Sequence, residues 1–223
     1  MHQGGLCPLG KHKEIMKNIR IYYGMSGALK GATIKSQTMN REGPYFGCRV
    51  MESAIKPWKS YQFGIFDGLT EYNDLTYTIL HLVRLREFIH DHLEDDSVII
   101  ERGVTDSLFY YYYNKEFQSG QGREEDPNFV MSIIGAENTS LLPDFSNLEK
   151  ILLIQRDRDF VKDEVLNDPY RKKTFNNDPE LYFDLQNMYV EFTQKYNKID
   201  EVIEIKNAKE YITLDLGENW NKI

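Results

Sequence analysis

Cysteine is scarce in this sequence, which has only Cys7 and Cys48 among its 223 residues. Two cysteines form neither a disulfide framework nor the ligand pattern of a metal site, so we expect a protein of the reducing cytoplasm. No apolar run reaches the ~18 residues that a membrane-spanning helix requires. We therefore expect no membrane partner.

An excess of basic residues is also missing, because 27 lysines and arginines face 35 aspartates and glutamates. The net charge of -8 argues against a surface built for nucleic acid, although a local basic cleft for phosphates stays open. Bulky apolar residues are plentiful, with 15 tyrosines, 12 phenylalanines and 2 tryptophans. The chain therefore predicts one folded α/β domain, or two small domains at most.

The N-terminal segment has a composition of its own. Residues 1–13 contain three glycines and one proline, without an apolar core of signal-peptide length. A β-prone segment then follows Met16. We expect residues 1–17 to form a flexible extension and residues 18–223 to form a single domain. An ordered element within the extension is the alternative.

Strand and helix patterns alternate along the chain after residue 18. Apolar positions from Leu75 to Ile89 step by 4, 3, 3 and 4 residues, which predicts an amphipathic helix. The alternation indicates a three-layer α/β/α fold with a five-stranded parallel sheet, in which ligands bind beyond the carboxyl ends of the strands. The predicted strands are 19–23, 48–52, 97–101, 150–154 and 201–205, and the predicted helices are about 29–40, 75–89, 104–117, 127–135 and 178–196.

A glycine-rich turn connects the first predicted strand to the first predicted helix. In the turn Gly24-Met-Ser-Gly-Ala-Leu-Lys30, small residues let backbone N–H groups converge on an anion, and the lysine can reach the outer phosphates. The turn therefore predicts a site for the phosphates of a nucleotide. Its candidate residues are Gly24, Met25, Ser26, Gly27, Ala28, Leu29, Lys30, Gly31, Ala32 and Thr33.

This turn departs from the pattern G-x-x-x-x-G-K-[ST] at two positions. Leu29 stands where the second glycine belongs, and Gly31 stands where a Mg²⁺-binding hydroxyl belongs. Ser26 or Thr33 can take over the metal contact. An ordinary strand-to-helix turn with a solvated Lys30 is the alternative.

Glu52 ends the second predicted strand, and Trp58 follows shortly after it. A carboxylate at this edge of the sheet can accept the proton of an acceptor hydroxyl during phosphoryl transfer. An aromatic ring nearby can stack on a flat base. The alternatives are a solvent-exposed glutamate and a tryptophan of the core.

The third predicted strand ends in Glu101-Arg102, and Asp106 lies in the start of the next helix. Glu101 can hold Mg²⁺ through water, and the guanidinium fork of Arg102 matches an oxyanion of the acceptor. Asp106 is a further candidate for contact with the acceptor. A structural Glu–Arg pair at the start of a helix, with Asp106 as a helix-start residue, is the alternative.

Basic residues also cluster after the fourth predicted strand, between residues 156 and 177. Arginines that close over a phosphate site neutralise the charge of the transferred group and exclude water. The cluster therefore predicts a lid, whereas the acidic residues between its members favour a solvated helical hairpin. Its members are Arg156, Arg158, Arg171, Lys172 and Lys173.

In their order along residues 18–206, these signals resemble the thymidylate kinase and deoxynucleoside kinase group of phosphate-loop kinases. The segment VIIERGVTDSLFYY is similar to the Glu-Arg-Ser and Asp-Arg-Tyr motifs of that group, with Gly103 in place of serine. The segment MESAIKPW resembles its Glu-Pro…Trp segment, with Ser53 in place of proline. The composition, rich in Lys, Asn, Ile and Tyr, is typical of bacteriophage enzymes, which act in the host cytoplasm.

The resemblance implies a kinase that uses ATP and Mg²⁺ to phosphorylate a deoxynucleoside or its monophosphate. It gives Glu52 the role of base, Trp58 that of stacking on the substrate base, and Arg102 that of an anion clamp. Lys30, Arg156 and Arg158 then act on the transferred phosphoryl group. The alternatives are a phage kinase of hydroxymethylpyrimidines in DNA, which the net charge disfavours, and a degenerate homologue that binds a nucleotide without catalysis. A homodimer stays open.

Overall fold

The computed structural model describes residues 18–52, 70–119, 124–141, 147–168, 175 and 177–212. Among these residues, five strands form one sheet in which every pair of neighbours is parallel, in the order β2-β3-β1-β4-β5. The strands are β1 (Asn18–Tyr23), β2 (Arg49–Met51), β3 (Ser97–Glu101), β4 (Asn147–Gln155) and β5 (Glu201–Ile205).

Helices occupy the connections between the strands. After β4, a single turn of α5 runs directly into the π-helical turn Val161–Val165. No helix of the described residues is both long enough and apolar enough to cross a membrane. The helices are α1 (Lys30–Met39), α2 (Thr70–Asp91), α3 (Val104–Ser119), α4 (Pro127–Leu141), α5 (Arg158–Phe160), α6 (Pro179–Tyr196) and α7 (Ala208–Glu210).

The sheet separates two apolar cores because side chains alternate between the faces of a strand. Ile19, Ile21 and Tyr23 of β1 lie in the larger core, which α2, α3, α4 and α6 complete. Tyr22 points to the other face and packs in a smaller core with Ile34 of α1. The predicted three-layer α/β/α architecture is therefore confirmed.

Several element boundaries differ from the prediction by a few residues, and those of α4 and β4 have an evident cause. The expected end of α4 near Gly135 is wrong, since the helix continues to Leu141. Glu137 and Leu141 are fully buried on its last turns, and this tertiary packing holds the helix past the glycine. Strand β4 begins at Asn147 instead of residue 150, because its first residues pair with β1. The predictions for residues 1–17 lie outside the described residues.

The strand register brings the predicted site residues to one edge of the sheet. Tyr22 of β1 pairs with Glu101 of β3, and Met51 of β2 pairs with Ile100. Gly24 and Arg102 therefore leave the sheet side by side, and Glu52 lies at the level of Glu101. Neighbouring parallel strands are about 4.8 Å apart, so this edge collects side chains from distant parts of the sequence.

Gly103 is required by the close approach of Tyr23. A Cβ atom at residue 103 would lie 2.5 Å from Cε1 and 2.7 Å from the hydroxyl oxygen of Tyr23, whose side chain is fully buried. We expect Gly103→Ala to lower the free energy of unfolding by about 1–3 kcal/mol, the usual cost of overpacking. Urea denaturation measures this change.

Gly31→Ala is the matched control, since a Cβ there meets no atom within 4 Å and the residue lies in the first turn of α1. The intrinsic helix propensity of alanine should stabilise this variant by up to about 1 kcal/mol. Equal stabilities of the two variants would contradict the packing constraint at residue 103.

Candidate active site

The loop between β1 and α1 has a fixed backbone shape. Gly27 has φ 94°, and a Cβ atom there would lie within 2.8 Å of both methyl groups of Val165. Leu29 has φ 55° and ψ 20°, the left-handed conformation that normally favours glycine. The residue at the position of the missing second glycine therefore adopts the left-handed conformation, which costs about 1–2 kcal/mol of conformational free energy.

Lys30 lies inside the curve of this loop. Its side chain is buried, and its ammonium group donates hydrogen bonds to the carbonyl oxygens of Gly24 and of Met25, the latter at 2.9 Å. The alternative of a solvated Lys30 is therefore wrong. The ammonium is therefore held within the loop by two of its carbonyl oxygens.

A cleft of about 290 Å³ opens above the loop. It joins the loop to the end of β3 and to the segment after β4, so elements far apart in the sequence form one concave surface. Its wall consists of Ser26, Gly27, Leu29, Lys30, Gly31, Glu101, Arg102, Phe160, Glu164 and Val165. Leu29, Lys30 and Gly31 of this wall belong to the start of α1, where the first N–H groups of a helix have no intrahelical partners.

Thr33 does not contribute its hydroxyl to the cleft. This hydroxyl donates a hydrogen bond to the carbonyl oxygen of Leu29 at 3.0 Å and lies 3.0 Å from the hydroxyl oxygen of Tyr211. Met25 and Ala28 are buried in the two cores, and Ala32 is not part of the cleft wall. The predicted phosphate residues therefore divide into a cleft-lining group and a group that supports the loop.

Oxygen ligands for Mg²⁺ are present at the cleft. Glu101 and Ser26 belong to its wall, whereas Gly31 offers no side chain. Among the residues that the structure describes, no three His, Cys, Asp or Glu side chains form a metal cage. This donor set fits Mg²⁺, which keeps several water ligands and binds through one or two carboxylates together with phosphates.

Arg102 lies at the cleft with a backbone φ of 75°. Its Nη1 donates to Oδ1 of Asp106 at 3.3 Å, and the Tyr189 hydroxyl donates to the same oxygen at 2.9 Å. Burial raises the pKa of Asp106, while Arg102 and Lys30 act in the opposite direction. Asp106 is thus buried behind Arg102 and outside the cleft wall, where it orients the guanidinium.

The remaining predicted residues lie apart from this cleft. Glu52 is exposed directly after β2. Arg156 donates to Glu204 and Asn187 at 3.3 and 3.0 Å, and Arg158 forms a two-armed contact with Glu180. Neither arginine belongs to the cleft wall, so their action on a phosphoryl group stays a prediction that requires movement. Trp58, Arg171, Lys172 and Lys173 lie outside the described residues.

Three side chains of α6 that are not among the predicted site residues hold the loop and the end of β4. The Tyr182 hydroxyl donates to the carbonyl oxygen of Ser26 at 3.0 Å. Gln186 accepts from the backbone N–H of Gln155 at 2.9 Å and donates to its carbonyl oxygen at 2.6 Å. The Gly24 N–H donates to the Tyr189 hydroxyl at 2.9 Å.

The available sequence signal for these three residues is their spacing. Residues 182, 186 and 189 step by four and three positions and therefore share one helix face. All three are buried, so this face carries polar groups into the core. A glutamine in an apolar stripe is the one visible hint of such a role, because buried polar groups require partners.

A second buried polar pair lies under the Arg102 turn. Glu137 is fully buried and accepts a hydrogen bond from the N–H of Val104 at 2.8 Å, at the start of α3. The imidazole Nε2 of His81 lies 3.7 Å from the same carboxylate oxygen. Burial lowers the pKa of His81 to about 4, and the positive charges of Arg84 and Arg102 add to this effect.

Comparisons with known proteins agree with this geometry at the level of the fold. The chain is similar in structure to thymidylate kinase from Ehrlichia chaffeensis, with 13% sequence identity, a TM-score of 0.51 and coverage of 90% of this chain and 98% of that one. It is also similar to deoxyadenosine kinase from M. mycoides with bound dATP, with 16% identity, a TM-score of 0.50 and coverage of 89% and 97%. No family model and no curated protein matches the sequence.

The chain therefore has the fold of the phosphate-loop nucleotide kinases. At these identities, the likeness establishes the fold alone. The bacteriophage origin and the homodimer stay predictions.

The buried His81 gives a testable dependence of stability on pH. Its pKa is about 4 in the folded protein against a usual value of 6.5, so between these values the unfolded chain binds the extra proton. The contribution of the neutral His81 to the free energy of unfolding is therefore fully present above pH 6.5, and it decreases as the pH drops toward 4. The loss amounts to about 3 kcal/mol, because one pKa unit corresponds to about 1.4 kcal/mol.

We expect the free energy of unfolding of the wild type to fall toward that of His81→Gln across this pH range. Urea denaturation of both proteins at several pH values measures the difference, and groups such as Glu137 contribute to both curves. Two parallel curves would contradict a buried neutral imidazole at residue 81.

Proposed function

We propose that this protein is an ATP-dependent phosphotransferase that acts on a deoxynucleoside or a deoxynucleoside monophosphate. The observation that carries the proposal is the cleft that joins Lys30, the first turn of α1 and the Glu101-Arg102 turn. A cationic lysine, helix N–H groups and an arginine around one space are the groups that phosphoryl transfer requires. The kinase neighbours support the same reaction class through their fold.

Lys30 and the loop supply the charge for the nucleotide. In the described structure the ammonium is held by the carbonyl oxygens of Gly24 and Met25. We propose that this ammonium and the first N–H groups of α1 together bind a triphosphate, because donors already held in place need little reorganisation. Val165 and Phe160 close one wall with apolar groups, which helps to exclude water from the phosphates.

Glu101 is the side chain that would hold Mg²⁺, through water, beside the phosphates. The ion supplies neutralisation of the phosphate charge when it is bound. Ser26, a residue of the same wall, has a hydroxyl oxygen that could replace the one that Gly31 lacks.

The acceptor is proposed to lie between Glu52 and Arg102. Both follow parallel strands at the same edge of the sheet, and Met51 pairs with Ile100 in that register. Arg102 belongs to the cleft wall and is fixed from behind by Asp106, and its fork suits a phosphate or a hydroxyl. We propose that Glu52, exposed directly after β2, accepts the proton of a hydroxyl acceptor.

Lys30→Ala tests the phosphate site directly. We expect the loss of the ammonium to lower kcat/KM by about 10²-fold or more, because a charge that stabilises the transferred group is removed. ADP formation from ATP and Mg²⁺ with a panel of deoxynucleosides and monophosphates measures the change. Lys35→Ala, an exposed lysine of the same helix, is the control and should retain full turnover.

Absence of ADP formation by the wild type with every acceptor would contradict the phosphotransferase. A nucleotide-binding protein without catalysis is then the second candidate. It is favoured by Leu29 at the position of the second glycine and by Gly31 at the position of the hydroxyl residue. Thermal-shift measurements with ATP and with monophosphates separate the two, since a ligand that binds only the folded state raises the Tm without turnover.

Glu52→Gln and Arg102→Lys together distinguish the classes of acceptor. If a hydroxyl is the acceptor, loss of the base in Glu52→Gln should lower kcat by about 10²–10⁴-fold with little change in KM for ATP. If a monophosphate is the acceptor, its oxygen is already anionic, so Arg102→Lys should be the more damaging change because lysine lacks the bidentate fork.

Steady-state kinetics with each acceptor measures both effects. Glu42→Gln, at an exposed glutamate beyond the C-terminal end of α1, is the control and should behave as the wild type. Wild-type rates in both test variants would contradict an acceptor position between Glu52 and Arg102.

A further inference from the structure

One hydroxyl group connects the two halves of the proposed site. The Tyr189 oxygen accepts the backbone N–H of Gly24 at 2.9 Å and donates its own proton to Oδ1 of Asp106 at 2.9 Å. Asp106 in turn accepts from Arg102 at 3.3 Å. A continuous hydrogen-bonded chain therefore runs from the acceptor side of the cleft to the first glycine of the phosphate loop.

The chain continues on the far side of Gly24. The carbonyl oxygen of this residue accepts a hydrogen bond from the ammonium of Lys30. Gly24 thus has its N–H fixed by Tyr189 and its carbonyl fixed by the lysine of the phosphate site. These two groups belong to the successive peptide planes that meet at the Gly24 Cα, so a shift of the Tyr189 hydroxyl reaches the carbonyl that holds Lys30 through the backbone angles of Gly24.

Burial makes this chain sensitive to changes at its ends. Tyr189 is fully buried and Asp106 is nearly so, and the Tyr189 ring packs edge-on against Phe109 at 5.2 Å. Hydrogen bonds in a region of low dielectric polarise one another, so a change in the charge of one member alters the strength of the next. Because these groups are buried, water does not screen this mutual polarisation as it would at the surface.

We propose that Tyr189 is a positioning residue that couples Arg102 to the phosphate loop, so that an acceptor bound at Arg102 strengthens nucleotide binding at Gly24 and Lys30. The inference depends on the proposed function, because it takes Arg102 as an acceptor contact. An oxyanion of the bound substrate would form hydrogen bonds with the Arg102 guanidinium and weaken its contact with Asp106. The Asp106 carboxylate would then accept the Tyr189 proton more strongly in its hydrogen bond. The hydroxyl oxygen then becomes a stronger acceptor for the Gly24 N–H, which fixes the loop in its binding shape.

Native-state hydrogen exchange of the Gly24 amide tests the link without any ligand. Tyr189→Phe keeps the packing of the ring and removes the hydroxyl, so this amide should exchange faster than in the wild type. Asp106→Asn keeps an acceptor oxygen and removes the charge. With Tyr189 present, this change should raise the exchange rate of the Gly24 amide by at least about twofold. In the Tyr189→Phe background, Asp106→Asn should have no further effect on it.

Ligand binding tests the coupling itself. The Kd of a non-hydrolysable ATP analogue is measured by titration calorimetry, with and without saturating thymidine monophosphate. In the wild type the acceptor should lower this Kd by at least about fivefold, within the usual range of couplings between two sites. In Tyr189→Phe the two Kd values should agree within about twofold.

Two variants of the same helix serve as controls. Tyr196→Phe removes a hydroxyl that donates to Glu125 at 2.7 Å, away from the loop, and should keep the wild-type coupling factor. Tyr182→Phe removes the hydrogen bond to the Ser26 carbonyl oxygen and weakens nucleotide binding. It should do so by the same factor with and without the acceptor, so the coupling factor is retained.

The outcomes separate this inference from the proposed function. A coupling factor that Tyr189→Phe leaves at the wild-type value, or a wild type that binds both ligands without coupling, overturns the inference while the phosphotransferase stands. Failure of both ligands to bind the wild type overturns the proposed function. The exchange experiment then still tests the link from Asp106 to Gly24 through Tyr189. If Asp106→Asn accelerates exchange of the Gly24 amide equally with Tyr189 and with Phe at this position, the link is overturned.

Discussion

The parallel register of β1 between β3 and β4 is the constraint on which the site depends. Pairing of Tyr22 with Glu101 makes the loop between β1 and α1 and the Glu101-Arg102 turn leave the sheet at one level. Pairing of Tyr23 with Leu152 brings the segment after β4 beside them. A shift of one residue would exchange the two faces of β1 and bury Arg20 in the larger core. The position of the cleft is therefore determined by the pairing of the strands, and its side chains determine only its chemistry.

Most of the fold could be predicted from the sequence because its signals are local. The apolar run of β3 and the cap and first residue of α6, Asp178 and Pro179, give bounds that the structure reproduces. At the site, Lys30, Glu101 and Arg102 are visible because strand ends can be located. The roles of Tyr189 and Glu137 could not be predicted, since their partners are backbone N–H groups more than thirty residues away.

Leu29 explains how the loop between β1 and α1 departs from the pattern G-x-x-x-x-G-K-[ST] and still forms one wall of a cleft. A pattern of residue types stands for a set of backbone angles, and Leu29 adopts the left-handed angles at an energetic cost. The hydrogen bonds that Ser26, Gly24 and Gln155 form with α6 supply the support that holds this conformation. Sequence similarity to the pattern is thus a weaker criterion here than the presence of the supporting helix.

The contact between Gly103 and the Tyr23 ring has a consequence for the evolution of this chain. The Tyr23 ring occupies the space that a side chain at residue 103 would need. Substitutions at these two positions are therefore not independent of each other in a sequence lineage. A relative with serine or a larger residue after the Glu-Arg pair is expected to carry a smaller residue at the end of its first strand. Joint variation of these two positions is therefore a marker by which distant members of this lineage can be recognised.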